Sequence, residues 1–303
     1  MGTSRTPIWL DCDPGNQSVE KTTANAISIL EASGRSDVPV FMGASKPLIR
    51  IAKHDPEIHG ESGLDGTSLL PTFNKSLYEK AKSSVAINEI AKAILNSPEP
   101  VYLVASGSLT NIAILVSVYP QIVNKVKVFS FMGGALGAGN RSAVAEFNIL
   151  CDPEAAQIVM QAGFNHMAMV PLDVTHTVLV TDAVLKMIQN RVGPSNERFS
   201  KMIQELLLFF KGSYEKTFGF KEGPPLHDPL AIYYLISQGS FESKLMRVDV
   251  ECGDGMCAGQ TVCDIWGYSS LKKNCYVTSK VDAESFWETM IESMVIAGKN
   301  SSL

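Results

Sequence analysis

The side chains best suited to chemistry fall into two short acidic segments that lie far apart in the chain. DCDPG occupies residues 11–15, directly after the apolar run at 8–10, and HDP occupies residues 227–229. Asp11 and Asp13 are two positions apart on an extended strand, so their side chains share one side of it. Converging carboxylate oxygens are the ligands of a hard cation such as calcium. Asp, Pro and Gly are equally common in turns, so this segment alone fits a solvated turn as well as a cation site.

The elements that position these segments alternate between short β-branched runs and amphipathic helical stretches, which predicts an open, mostly parallel α/β sheet flanked by helices. Strands are predicted at residues 8–10, 38–42, 101–105, 126–131, 166–170, 246–250 and 275–278. Helices are predicted at residues 17–31, 86–95, from about 109, and at 153–161, 183–190, 195–214, 228–237 and 283–297, with a long loop at 46–74. Without a repeat or a clear linker, residues 1–303 are expected to form a single domain.

Composition narrows the class of protein. The net charge of −5 and the lack of a basic run argue against a nucleic-acid partner. The six cysteines show no tight C-x-x-C spacing, so free thiols in a reducing compartment are expected rather than a disulfide framework. Residues 1–7 are short and polar, so we expect no signal peptide, and no apolar run reaches transmembrane length. We therefore expect a soluble, cytoplasmic protein that does not bind a membrane.

Further segments follow the first acidic cluster in a fixed order. They are IHGESGLDG at 58–66, ASGSLTN at 105–111, FMGGA at 131–135, GN at 139–140 and AEFN at 145–148, and the HDP segment closes the series. Each has a structural alternative: a glycine turn for MGGA, a solvated strand face for Glu146 and Asn148, and the first turn of a helix for His227 and Asp228. Five coincidences in one order are much less expected than any one alone.

Taken together, these segments resemble the nucleoside hydrolases, enzymes that cut the N-glycosidic bond of ribonucleosides such as inosine or uridine to give ribose and the free base. The resemblance covers essentially the whole chain and implies a Rossmann-like nucleoside hydrolase fold. It also implies Ca²⁺ as cofactor, a small-molecule ribonucleoside as substrate, and a homo-oligomer. The base that is preferred cannot be read from the sequence.

The resemblance implies a role for each matching residue. The calcium ligands would be the side chains of Asp13 and Asp228 and the main-chain carbonyl of Ser106. Asp13 would also deprotonate the attacking water, because a neighbouring cation keeps a carboxylate ionised. His227 would protonate the departing base, a step typically worth roughly 10²–10⁴-fold.

The ribose would be held by a second set of residues. The set consists of Asn16 on the 3′ side, Met132 packed beside the sugar, and Asn140, Glu146 and Asn148 on the hydroxyls.

The chain departs from the family pattern after Gly15. The family continues there with His-Asp-Asp-Ala, a helix and a second strand, whereas this chain continues with Asn16-Gln17-Ser18. Roughly 26 residues are absent, about one helix, one strand and their loops. Removing one N-terminal αβ unit preserves the alternation of elements, so the fold should survive. We expect weak calcium binding, impaired turnover and exposed apolar sheet surface that favours self-association.

Two other hypotheses remain open. The chain could be a catalytically silent nucleoside hydrolase homologue or splice form that binds ligand weakly or acts through intact subunits. It could also be a haloacid-dehalogenase-type phosphatase, since those enzymes place D-x-D after a first apolar strand. They have Thr or Val two residues after the second Asp, however, where this chain has Gly15.

Overall fold

The computed structural model describes residues 7–12 and 16–303, and within them the central sheet has six strands. The described residues form eight strands, six in this sheet and two outside it. In chain order they are β1 (Ile8–Asp11), β2 (Val101–Ala105), β3 (Val126–Met132), β4 (Met167–Val170), β5 (Phe241–Met246), β6 (Val248–Val250), β7 (Thr261–Cys263) and β8 (Cys275–Val281). The sheet order is β1-β2-β3-β4-β8-β5; β5 is antiparallel to β8 and the other pairs are parallel. Strands β6 and β7 form a separate hairpin. The predicted mostly parallel α/β sheet is confirmed.

Helices flank this sheet. They are α1 (Val19–Ala32), α2 (Pro56–His59), α3 (Lys75–Ser83), α4 (Ala86–Asn96), α5 (Thr110–Val118), α6 (Phe147–Cys151), α7 (Pro153–Gln161), α8 (Leu172–Thr175), α9 (Asp182–Val192), α10 (Glu197–Phe218), α11 (Asp228–Ile236) and α12 (Ala283–Asn300). Local sequence explains several starts: the Asp152 side chain accepts the backbone N–H of Ala155, and Pro153 occupies the first turn of α7. In the part of the chain that the structure describes, no helix combines the length and apolarity needed to cross a membrane.

The core lies on both faces of the sheet. Leu103, Phe129 and Phe131 are fully buried on one face, whereas Val104 and Val128 belong to the cluster on the other face. A parallel strand covered by helices on both sides must be apolar at successive positions. The uninterrupted apolar run at 101–105 predicted this burial, and the structure confirms it.

Strand β1 forms one edge of the sheet. Among the described residues it pairs only with β2. Ile8 and Leu10 lie on one face of β1 and are 50% and 43% exposed, whereas the Trp9 ring on the opposite face stacks on Phe41. The predicted uncovered apolar surface is present at this edge.

The predicted strand at residues 38–42 is wrong. This segment is irregular, and the N–H of Met42 donates to the carbonyl of Ala81 in α3 rather than to a strand. A strand forms only where a neighbour completes its ladder of hydrogen bonds. Among the described residues β1 pairs only with β2, and residues 16–100 form helices and no strand, so the segment has no strand paired with it. An apolar, β-branched segment therefore stays without a ladder.

Smaller differences concern element boundaries and missed elements. Helix α3 was not predicted because it is polar and short; the Asn74 side chain caps it by accepting the N–H groups of Ser76 and Leu77. The predicted strand at 246–250 is split between β5 and β6, because the chain leaves the main sheet after Met246 and pairs with β7.

Candidate active site

A cavity of about 210 Å³ opens at the carboxyl ends of the parallel strands. All the predicted site residues that the structure describes line it: Asn16, Ser106, Met132, Asn140, Glu146, Asn148, His227 and Asp228. Asp13, the predicted base and calcium ligand, lies outside the described residues. The cavity therefore joins segments from the beginning, middle and late part of the chain.

Glu146 is the best-buried carboxylate of the cavity, with 2% of its surface exposed. It caps α6: Oε1 accepts the N–H of Asn148 at 2.9 Å, and Oε2 accepts those of Gly134 at 3.0 Å and Ile149 at 3.3 Å. Burial raises the pKa of Glu146 to about 7, against the opposing effect of these hydrogen bonds. The alternative of a solvated strand face is wrong, because the residue is a buried helix cap.

Two asparagines connect the loops around Glu146. The Asn148 amide donates to the carbonyl of Met132 at 3.1 Å and, at 3.4 Å, to that of Ser106. It therefore ties the end of β3 to the turn after β2. The Asn140 side-chain oxygen accepts the N–H of Phe147 at 2.9 Å. Both polar groups are thereby held at the cavity wall in fixed orientations.

The MGGA segment contains one turn that requires glycine. Gly134 has φ +79°, and a Cβ there would lie 2.8 Å from the Thr261 methyl carbon. Thr261, in β7, hydrogen-bonds both the N–H and the carbonyl of Ala135. The hairpin thus supports the loop whose Gly134 N–H binds Glu146. The glycine turn proposed as a structural alternative is therefore present, and it positions the carboxylate of Glu146.

Two further carboxylates lie in buried surroundings. Burial raises the pKa of Asp228 to about 7. Burial also raises the pKa of Asp11 to about 7, although Asn111 donates to its Oδ1 at 3.0 Å. The other oxygen of Asp11, Oδ2, has no hydrogen-bond partner within the described residues. Carboxylates in low-dielectric surroundings with unused oxygens favour the approach of a cation.

The donors that could hold calcium have suitable chemistry but are few. Asp228 and the Ser106 carbonyl offer hard oxygen atoms, as calcium requires. Within residues 7–12 and 16–303, however, no group of three or more His, Cys, Asp or Glu side chains is placed to hold a metal ion. The buried negative charge fits a cation, and the number of ligands is small against the roughly 6–8 oxygens that calcium takes.

In the same cavity, His227 precedes α11 and lies between two hydroxyl groups. Its Nδ1 is 2.7 Å from Oγ1 of Thr175, and its Nε2 is 3.0 Å from the hydroxyl of Tyr214. Burial lowers the pKa of His227 to about 3, helped by His176 and His59, so the ring is neutral near pH 7. Burial raises the pKa of Tyr214, whose hydroxyl therefore keeps its proton.

Several residues in or next to the cavity were not predicted from the sequence. The Arg141 guanidinium pairs with Asp55, with 2.9 Å between Nε and Oδ2, and covers the Phe218 ring. His59, from the IHGESGLDG segment, packs edge-on against Phe210. His59 could have been identified from the sequence, because it belongs to a segment that was already recognised. The partnership of Asp55 and Arg141 joins residues 86 positions apart, and no local pattern marks it.

Comparisons with known proteins agree with this geometry. The family model for the inosine-uridine preferring nucleoside hydrolases matches residues 8–288. A probable ribonucleoside hydrolase of Dictyostelium discoideum is 42% identical over 288 residues, covering 92% of this chain and 84% of that protein. An inosine-uridine preferring nucleoside hydrolase of Leishmania major is 38% identical over 285 residues, covering 92% and 86%. A solved structure, the purine-preferring ribonucleoside hydrolase from Gardnerella vaginalis, matches with TM-score 0.83 and 25% identity over 97% of this chain and 90% of that one.

Fold and relatives together define the class of protein, a nucleosidase with an α/β sheet. The chain belongs to the inosine-uridine preferring nucleoside hydrolase family. This membership leaves the phosphatase hypothesis without support, because that hypothesis depended on the D-x-D segment alone.

Proposed function

We propose that this chain hydrolyses the N-glycosidic bond of purine or pyrimidine ribonucleosides, with inosine and uridine as first substrates to test. The observation that carries the proposal is the convergence, in one cavity, of the predicted site residues that the structure describes. Part of the lining is acidic and rich in amides, which suits ribose hydroxyls. The lining also includes His227, Tyr214 and aromatic rings, which suits a flat base.

The acidic part of the lining would bind the sugar. Asn140, Glu146 and Asn148 already have fixed orientations, so they can accept or donate hydrogen bonds to ribose hydroxyls without reorganisation. Asn16 would contact the 3′ side, and Met132 would pack beside the ring. Negative charge near the sugar also stabilises the oxocarbenium-like transition state of glycoside cleavage.

Calcium would be held by Asp13, the Ser106 carbonyl and Asp228. When bound, the ion would supply Lewis acidity and a template for the water and the ribose hydroxyls. Asp13 would accept a proton from the attacking water. Because the ligand set is small, we propose weak calcium binding and turnover well below that of a nucleoside hydrolase with a complete site.

The leaving base needs a hydrogen-bond or proton donor, and His227 is placed for this role. Its Nε2 points towards Tyr214 at the cavity wall. The base itself would lie against aromatic rings such as Tyr214 and Phe218. The names of the relatives cover both inosine-uridine and purine preference, so both kinds of base belong in the assay.

The test is release of free base from inosine and uridine in calcium-containing buffer, with His227→Ala as the negative control. We expect slow release that the His227→Ala variant lowers by roughly 10²–10³-fold, the typical effect of removing one hydrogen-bond donor to a developing charge. Release that is unaffected by this variant would contradict the assigned role. No release, together with measurable nucleoside binding, would favour the second candidate, a catalytically silent homologue. That candidate is supported by the small ligand set and the uncovered face of β1.

We also propose that residues 1–303 act as a single domain in a homo-oligomer. The loop after β7 presents Trp266 and Tyr268, which are 83% and 89% exposed. Asp264 fixes this loop by accepting the N–H groups of Gly267, Tyr268 and Ser269. Rigid, exposed aromatic residues are typical of protein contacts. Sedimentation should show that Trp266→Ala weakens self-association, whereas Val85→Ala, at another exposed apolar residue, should not.

A cytoplasmic location is proposed from the cysteines. Cys252, Cys257, Cys263 and Cys275 are free thiols, which a reducing compartment favours. Fractionation of cells that express the tagged protein tests this proposal, and recovery outside the cytoplasm would contradict it.

A further inference from the structure

The second contact of His227, with Thr175, lies behind the cavity wall and has no role in the function proposed above. Thr175 is the last residue of α8, which follows β4, and its side chain is completely buried. Its Oγ1 lies 2.7 Å from Nδ1 of His227, so the contact is a short hydrogen bond. It joins the end of β4 to the residue that precedes α11.

The direction of this hydrogen bond follows from what else the hydroxyl could bind. If Nδ1 carried the hydrogen, the Thr175 hydroxyl would have to donate elsewhere. Among the described residues, the other acceptor within hydrogen-bond distance is the Leu172 carbonyl at 3.5 Å, which already accepts the N–H of His176 at 2.9 Å. A contact of 3.5 Å is at the limit of hydrogen bonding, and a buried hydroxyl without an acceptor is destabilising. The Thr175 hydroxyl therefore donates to Nδ1.

This assignment determines the form of the imidazole. A neutral histidine carries one ring hydrogen, so an Nδ1 that accepts leaves that hydrogen on Nε2. Nε2 is the nitrogen on the side of Tyr214, which lines the cavity. The Tyr214 oxygen accepts this hydrogen, and a bound base would take its place.

We propose that Thr175 is a positioning residue that holds His227 in the Nε2–H tautomer, with that hydrogen aimed at the leaving base. The inference rests on the proposed function for its catalytic meaning, but the tautomer itself is a property of the folded chain. Thr175→Val is close in shape to threonine and removes the donor. Thr175→Ser keeps the donor. Thr177→Val is the matched control, because its hydroxyl donates to Val174 in the same turn and does not contact His227.

The first experiment records long-range ¹H–¹⁵N correlations of the full chain labelled with [¹⁵N]histidine; a His227→Asn variant identifies the signal among the five histidines. The wild type, Thr175→Ser and Thr177→Val should show a protonated Nε2 and a bare Nδ1, and Thr175→Val should show a mixture of tautomers. A wild-type ring with hydrogen on Nδ1, or an unchanged pattern in folded Thr175→Val, would overturn the proposal.

The second experiment compares leaving groups. Thr175→Val should lower kcat for inosine by roughly ten- to a hundredfold with little change in KM, and Thr175→Ser should restore it. Hydrolysis of 4-nitrophenyl riboside should fall far less, because nitrophenolate departs without a proton. Equal losses on both substrates would overturn the positioning role. Absence of nucleoside hydrolysis in the wild type would instead count against the proposed function, and the tautomer measurement would still test Thr175.

Discussion

Glu146 offers a quantitative test of how the site holds its charge. Glu146→Gln keeps the shape of the side chain and removes its ability to ionise. The carboxylate accepts three backbone N–H groups, whereas glutamine has a single oxygen. At least one N–H group then faces the new amide NH₂ without an acceptor. We expect this change to destabilise the protein by about 1–2 kcal/mol when Glu146 is protonated.

The titration of Glu146 has the opposite effect on this comparison, because it destabilises the wild type as the pH rises. Burial raises the pKa of Glu146 from 4.5 to about 7 in the folded protein. The folded state therefore binds the proton more tightly, and the stability that Glu146 contributes is complete below pH 4.5 and is lost as the pH rises through 7. For this shift, the loss between pH 5 and pH 8 is about 2–3 kcal/mol. Glutamine does not titrate, so the variant lacks this loss.

The assay is urea unfolding of both proteins in EDTA at pH 5, 6, 7 and 8. Glu146→Gln should be the less stable protein at pH 5, and the difference should disappear or reverse by pH 8. The shifts of Asp11 and Asp228 occur in both proteins and largely cancel in this comparison. Curves that stay parallel from pH 5 to pH 8 would refute the claim that Glu146 is buried with a raised pKa.

Three further predictions concern one ion-pair cluster outside the cavity and two features of the site. Arg50→Ala should lower the free energy of unfolding, measured in urea, by about 1–3 kcal/mol, because Arg50 binds Glu154, Asp254 and the Cys252 carbonyl. The control is Arg35→Ala, which removes an exposed pair with Asp37 and should leave the urea midpoint unchanged. Arg141→Lys should raise KM for nucleosides by roughly tenfold in steady-state assays, with kcat nearly constant. Lysine lacks the planar guanidinium that pairs with Asp55 and covers Phe218. A fall in kcat at constant KM would contradict this prediction. Isothermal titration should give a calcium dissociation constant no tighter than roughly 10⁻⁴ M, and tight, near-stoichiometric binding would disprove the weak-site proposal.

Much of the fold could be predicted because the relevant signals are local. The apolar run at 101–105 and the proline at the start of α7 each identify an element within a few residues. The segment at 38–42 has an equally clear strand pattern and yet forms no strand. Whether a strand forms depends on a neighbour, and the composition of a segment does not report whether that neighbour is present.

In the candidate site, too, some features could be predicted from the sequence and others depend on tertiary contacts. The resemblance to the nucleoside hydrolases implied that its segments converge, and the structure places them in one cavity where the carboxyl ends of parallel strands meet. The contacts that orient the chemistry could not be predicted. Thr175 with His227, and Asp55 with Arg141, are side-chain pairs from distant positions whose residue types are ordinary. Such pairs are set by tertiary packing and leave no periodic pattern.

The most direct test of the central claim is a crystal structure of this chain with a ribonucleoside and Ca²⁺. We expect the ribose against Glu146 and Asn148, the base beside His227, and the ion between Asp13 and Asp228. A nucleoside bound elsewhere, or Asp13 and Asp228 facing unrelated surfaces, would contradict it.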